Sequence, residues 1–183
     1  MPSDDNPILI VTGPPGVGKT TTAGILAARS SRAVHLEADA FFRFISSGYV
    51  EPWKRESHEQ NEIVMRIVAK AAGQYAEAGY LTIVDGIIIP GWFFEPLRDA
   101  LHEAGYPVAY AVLRAPLSVC AKRVHDREGG PLIDSAAIEQ LWNSFADLGD
   151  LERHVIDLED MTRGEAADLL DRRLADGTLT VAT

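Results

Sequence analysis

Residues 13–20 read Gly13-Pro14-Pro15-Gly16-Val17-Gly18-Lys19-Thr20. The spacing G-x-x-x-x-G-K-[ST] is that of a phosphate-binding loop, and no other stretch restricts the chain as strongly. Such a loop needs a strand before it and a helix after it. Residues 7–12 (PILIVT) are a short apolar run suited to a buried parallel strand. Residues 21–30 (TTAGILAARS) predict a helix. The three glycines let the backbone turn its N–H groups toward one point, and the helix beginning near Lys19 directs its positive end there. Lys19 adds a mobile cation for the outer phosphates, and the Thr20 hydroxyl is of the type that ligates Mg²⁺. The expectation is a nucleoside triphosphate site formed by Gly13, Pro14, Pro15, Gly16, Val17, Gly18, Lys19, Thr20 and Thr21.

Four further strands are expected at residues 33–39, 80–85, 107–113 and 154–158. Between them lie predicted helices at 39–46, 57–79, 92–104, 116–127, 134–146 and from Thr162 onward. Ser57 with Gln60, and Thr162 with Glu165, have the spacing of capping boxes. The long helix carries two apolar rows, Ile63, Ile67, Ala71, Tyr75 and Val64, Val68, Ala72. Strands alternating with helices imply an α/β, three-layer architecture with a parallel sheet covered on both faces. The 183 residues suit a single domain, with residues 1–6 a loose leader and 127–134 a short lid.

Composition narrows the partners. A net charge of -10 argues against a nucleic-acid surface. No apolar run is long enough for a bilayer, and the acidic N-terminus is not a secretory signal. One cysteine, Cys120, excludes an internal disulfide framework and fits a reducing, cytoplasmic setting. It is expected to be a buried small hydrophobe.

Ligands of open parallel sheets sit at the carboxyl ends of the strands. After the second strand come Glu37 and Asp39, expected on one side of an extended segment. Asp39 is the candidate to orient or deprotonate an attacking hydroxyl, and Glu37 to hold Mg²⁺ through water. Arg43, one turn beyond, is a candidate acceptor contact. Asp85, after the third strand, is placed to reach Mg²⁺ or the acceptor, with Gly86 where hydrolytic motors usually carry Glu. Arg127, on the expected lid, is a candidate to stabilise charge on the transferring group. Arg123 is a candidate to pack on the base. Trp92 and Phe93, with Tyr49, Trp53, Lys54 and Arg55, are candidates to cap the acceptor. The five histidines form no metal pattern.

GPPGVGKT at 13–20, EAD at 37–39, IVDG at 83–86 and LRAPLSVCAKRVHDREG at 113–129 together give the chain its resemblance. It resembles the small P-loop kinases of the shikimate kinase, gluconate kinase and chloramphenicol phosphotransferase group. That resemblance implies a five-stranded parallel sheet in order 2-3-1-4-5, ATP and Mg²⁺ as cofactors, and a small hydroxylated acceptor. It implies Asp39 as base, with Lys19 and Arg127 completing the catalytic set. The GIIIPGW stretch departs from the glycine-rich motif of shikimate kinases. Two alternatives stay open: a nucleoside or nucleotide kinase, and a P-loop ATPase acting through a partner.

Overall fold

The computed structural model describes residues 7–126 and 134–182. Five strands form one sheet: β1 (Ile8–Thr12), β2 (Ala33–Glu37), β3 (Leu81–Asp85), β4 (Val108–Arg114) and β5 (Val155–Asp157). Their order is β2-β3-β1-β4-β5, and every adjacent pair is parallel. This is the order that the resemblance implies.

The period-2 alternation of strands explains two cores. Ile8 and Ile10 of β1, with Val108, Tyr110 and Val112 of β4, face one core. There they meet α2 (Ala38–Phe42), α3 (His58–Glu77) and α4 (Phe94–Glu103) through Phe42, Val64, Val68, Phe94 and Leu97. Leu9 and Val11, with Ala109, Ala111 and Leu113, face the other. Small alanines there let α1 (Lys19–Arg29) and α7 (Arg163–Ala175) approach the sheet closely. Helices α5 (Leu117–His125) and α6 (Ser135–Asn143) follow β4. Burying each large aliphatic side chain contributes about 1.5–3 kcal/mol.

Three local expectations are corrected. The second strand stops at Glu37, and Asp39 lies in the first turn of α2. Phe42 is drawn into the core against Phe93, edge-on at 6.2 Å, and that burial favours the early helical turn. Of the two expected rows on α3, Val64, Val68 and Ala72 are buried, together with Met65 and Ala69, while Ile63, Ile67 and Tyr75 are exposed; a helix lying on a sheet presents one face to it. The Ser57–Gln60 capping box does not form. Ser57 Oγ donates to the carbonyls of Pro52 and Lys54, and the Gln60 amide pairs with the backbone of Val50. The Thr162–Glu165 box does form, with both halves present. Cys120 is buried as expected, and desolvation pushes its thiol pKa up.

Candidate active site at the carboxyl edge of the sheet

The loop of residues 13–18 leaves β1 and enters α1 with backbone torsions open only to glycine. Gly16 has φ 75° and Gly18 φ 105°. A Cβ at Gly16 would collide with the Cys120 carbonyl, and one at Gly18 would collide with the Arg163 guanidinium. Gly13, Pro14, Pro15 and Val17 are buried, with Val17 anchoring the loop in the second core. Thr20 and Thr21 are exposed at the start of α1. No acidic residue occupies the first turn of α1, so its positive end is left to attract an anion. Lys19 is buried, and its Nζ donates to the carbonyls of Gly13 (3.0 Å) and Pro14 (3.1 Å). The ammonium is thereby folded back across the loop.

Arg163 was not anticipated from the sequence. As the first residue of α7 it lies half-buried over Gly18. Desolvation and the neighbouring Arg123 cation lower its pKa. The Arg163 guanidinium thus covers the phosphate loop, with the Arg123 cation near enough to act on it, an arrangement that favours an anionic or π-faced ligand. The only sequence signal was an arginine after the fifth strand, just inside a capping box.

The strand register brings the carboxylates together. Asp85 is level with Val11 on one side and Glu37 on the other. Asp39 is open to solvent on one side and packed by protein on the rest. Burial therefore raises its pKa; the Lys19 cation opposes the rise, Asp85 and Glu37 assist it, and Arg43 opposes it. Asp39, Lys19, Asp85, Arg43 and Glu37 accordingly share one electrostatic field. Arg43 itself is exposed at the C-terminal end of α2.

Asp85 is almost fully buried, and its Oδ2 lies 3.0 Å from His35 Nε2. That contact, with the nearby Glu37 charge, raises the His35 pKa against the desolvation that lowers it. The two atoms are close but not aligned as a hydrogen bond, so Oδ2 remains a buried oxygen without a hydrogen-bond partner. The pair was missed because His35 and Asp85 meet only through the β2–β3 pairing. Thr20 offers a hydroxyl, and Asp85 and Glu37 offer carboxylates, hard-oxygen groups of the type that suits Mg²⁺, and Asp85 Oδ2 accepts no aligned hydrogen bond. Among the described residues, no group of three or more His, Cys, Asp or Glu forms an all-protein metal cage.

The segment after β3 is held by the core. Thr12 Oγ1 accepts from Ile88 N at 2.9 Å, and the buried Tyr110 hydroxyl donates to Ile88 O at 2.9 Å. Trp92 follows, stacked on Phe93 with centroids 4.5 Å apart. It lines a cavity of about 470 Å³ together with Trp53, Lys54, Arg55, Ser57 and His58. Arg127 and residues 128–133 of the expected lid lie outside the described residues, as does the 1–6 leader.

A glycine-lined anion cradle at the carboxyl edge of a 2-3-1-4-5 parallel sheet defines a P-loop nucleotide-binding fold. Residues 8–148 match the AAA domain family, and the chain belongs to it. Solved structures share the fold over nearly the whole chain. The Deinococcus radiodurans tunicamycin resistance protein is 23% identical, with 97% of this chain and 99% of that one covered and a TM-score of 0.70. Shikimate kinase from Acinetobacter baumannii, in complex with shikimate, is 19% identical, covers 96% and 97%, and has a TM-score of 0.64. The Mycobacterium tuberculosis APS kinase in complex with AMPPNP and APS is 15% identical, covers 93% and 98%, and has a TM-score of 0.66. No curated protein matches the chain in sequence. The fold is therefore kinase-like, with small-molecule kinases among its neighbours. Neither the nucleotide-kinase nor the partner-dependent ATPase alternative is favoured. Among the described residues no helix is long and apolar enough to cross a membrane.

Proposed function

We propose that this chain transfers the γ-phosphoryl group of ATP to a hydroxyl of a small molecule in the cytoplasm. The observation that carries the reading is a glycine-built phosphate loop, crossed by Lys19, with the carboxylate of Asp39 in the first turn of α2 at the same edge of the sheet. The acceptor oxygen forms a bond to the γ-phosphorus, the bond to the β,γ-bridging oxygen breaks, and ADP leaves. Asp39 orients the hydroxyl and takes its proton. Backbone N–H groups of Gly13 and residues 16–21 hold the β- and γ-phosphates, Lys19 swings from its carbonyl partners onto the outer oxygens, and Arg123 packs on the adenine. Arg127 closes over the γ-phosphate, and Arg43, Asp85 and Trp92 position the acceptor. Mg²⁺, when bound, neutralises charge on the phosphate oxygens; Thr20 would hold it, with Asp85 and Glu37 through water.

Replacing Asp39 by Asn keeps size and removes the base. The variant should lose about 10²–10⁴-fold in kcat, with affinity for an ATP analogue little changed. ³¹P NMR of Mg·ATP with pooled hydroxylated metabolites supplies the assay, a new phosphomonoester signal being the product. Transfer by D39N at the wild-type rate would sink this assignment.

A further inference from the structure

The 470 Å³ cavity has a lining that is unusual for this chain. Its walls are two tryptophans, Trp53 and Trp92, with Lys54, Arg55, Ser57 and His58. None of these is acidic, although the chain carries 27 Asp and Glu and a net charge of -10. We propose that this cavity binds an acceptor bearing both an aromatic or flat apolar face and an anionic group. The proposal rests on the phosphotransfer reading for the word acceptor, and on the cavity alone for the ligand chemistry.

Trp53 is 69% exposed. An exposed indole on a loose loop would carry little meaning. This one is held in place. The carbonyl of Pro52, one residue before it, accepts from Ser57 Oγ at 2.7 Å and from Asn61 Nδ2 at 2.8 Å. The carbonyl of Lys54, one residue after it, accepts from Ser57 Oγ at 2.6 Å. Ser57 and Asn61 are buried, and Gln60 clamps Val50 through both its backbone groups. A large side chain presented by a fixed backbone loses little entropy when a ligand covers it. Trp92 is braced likewise. It stacks on Phe93, and Phe93 packs edge-on against Phe42 of α2, the helix that carries Asp39. The Trp92 wall thereby connects to the helix at the reacting end. On the other flank, Tyr49 has its pKa raised by burial, by Glu51 and then by the Asp39 carboxylate.

The anionic half rests on charge that is left over. Lys54 is paired with Glu51 at 2.7 Å, and His58 faces Glu62 at 3.4 Å. Arg55 makes no ion pair among the described residues. Ser57 is the N-cap of α3 and His58 its first residue, so the positive end of a 20-residue helix points at the same wall. A planar guanidinium beside a helix N-terminus recognises a carboxylate or phosphate group.

The test uses phenyl β-D-glucuronide, methyl β-D-glucuronide, phenyl β-D-glucoside and methyl β-D-glucoside, which separate the ring from the charge at constant sugar. Each is titrated calorimetrically into the full chain loaded with Mg·AMPPNP. The phenyl glucuronide should bind about tenfold or more tighter than either singly modified probe. Trp53→Ala should erase the phenyl advantage and keep the carboxylate advantage; Arg55→Ala should do the reverse. Both residues are exposed, and unchanged thermal unfolding verifies that the variants fold. Equal binding of all four probes, binding of none, or both advantages surviving in both variants overturns the proposal. ³¹P NMR of the same mixtures with ATP keeps the two readings apart. Selective binding without transfer upholds the cavity assignment and counts against phosphotransfer to this ligand class. Transfer that is indifferent to both substitutions overturns the cavity assignment alone.

Discussion

Two irregular segments, the phosphate loop after β1 and the stretch between α2 and α3, are held by opposite means. The phosphate loop is fixed by its backbone. Its glycines adopt positive φ, and the Leu113 and Cys120 carbonyls press so close that a methyl group has no room. The segment that carries Trp53 is fixed by side chains, through Ser57, Gln60 and Asn61 reaching back from α3 and the turn before it. The contrast has a chemical reason. A phosphate is bound by N–H groups and a dipole, which every sequence possesses, so what must be specified is conformation. An acceptor is bound by shape and functional groups, so what must be specified is which side chains stand in the cavity.

The largest effect is expected at Gly18. Ala at this position would hold φ near 105°, a strain of about 1–3 kcal/mol, and its Cβ would strike Arg163. Affinity for an ATP analogue, measured calorimetrically, should fall by well over tenfold. In the double variant G18A/R163A the collision is gone but the strain remains, so recovery should be partial. Full recovery would mean that side chains govern this loop as well, and the contrast between the two segments would fail.

A weaker effect is expected at Ser57, on the acceptor side. Ser57→Ala removes a buried hydroxyl that serves two carbonyls and accepts from Asn61, at a cost of about 1–3 kcal/mol. The acceptor KM should rise while the KM for ATP stays put. If both constants move together, the two segments are coupled rather than independent.

The same division decides what was legible in the sequence. The phosphate loop, the five strands and the carboxylates after them could be read because each is a local pattern: a fixed spacing, an apolar run, a residue just past a strand. The placement of Asp39 was half legible. Its position beside the phosphate site could be read, but its backbone state depended on where Phe42 found its core contact. Ser57 and Gln60 show the limit. Their types and spacing suit a capping box, and the same donors and acceptors were taken by Pro52, Lys54 and Val50 instead. Nothing local distinguishes those outcomes. Arg163 and the His35–Asp85 pair lay beyond reach for another reason, since each is created by tertiary contact across long sequence separations.

The smallest predicted effect separates the sheet's interior from its functional edge, and it is read from pH. His154 is fully buried just before β5. Desolvation lowers its pKa below 6.5, the Arg153 cation adds to that, the approach of its ring to the Tyr110 carbonyl opposes it, and Arg173 lowers it further. Above pH 6.5 the imidazole is neutral in both folded and unfolded chains and contributes no pH dependence. As pH falls through that value, the unfolded chain takes up a proton that the folded chain refuses, so stability drops until the folded pKa is reached. His154→Gln should therefore flatten the acid side of the stability profile in this window. His35 has the opposite sign: its pKa is raised by Asp85, so its contribution is complete below 6.5 and fades as pH climbs through the raised value. The wild-type curve mixes the two, and only the difference between wild type and H154Q, followed by urea unfolding at a series of pH values, isolates the buried imidazole. A slope unchanged by H154Q would mean that His154 takes up its proton as readily in the folded chain as in the unfolded one, and that burial beside β5 does not hold it neutral.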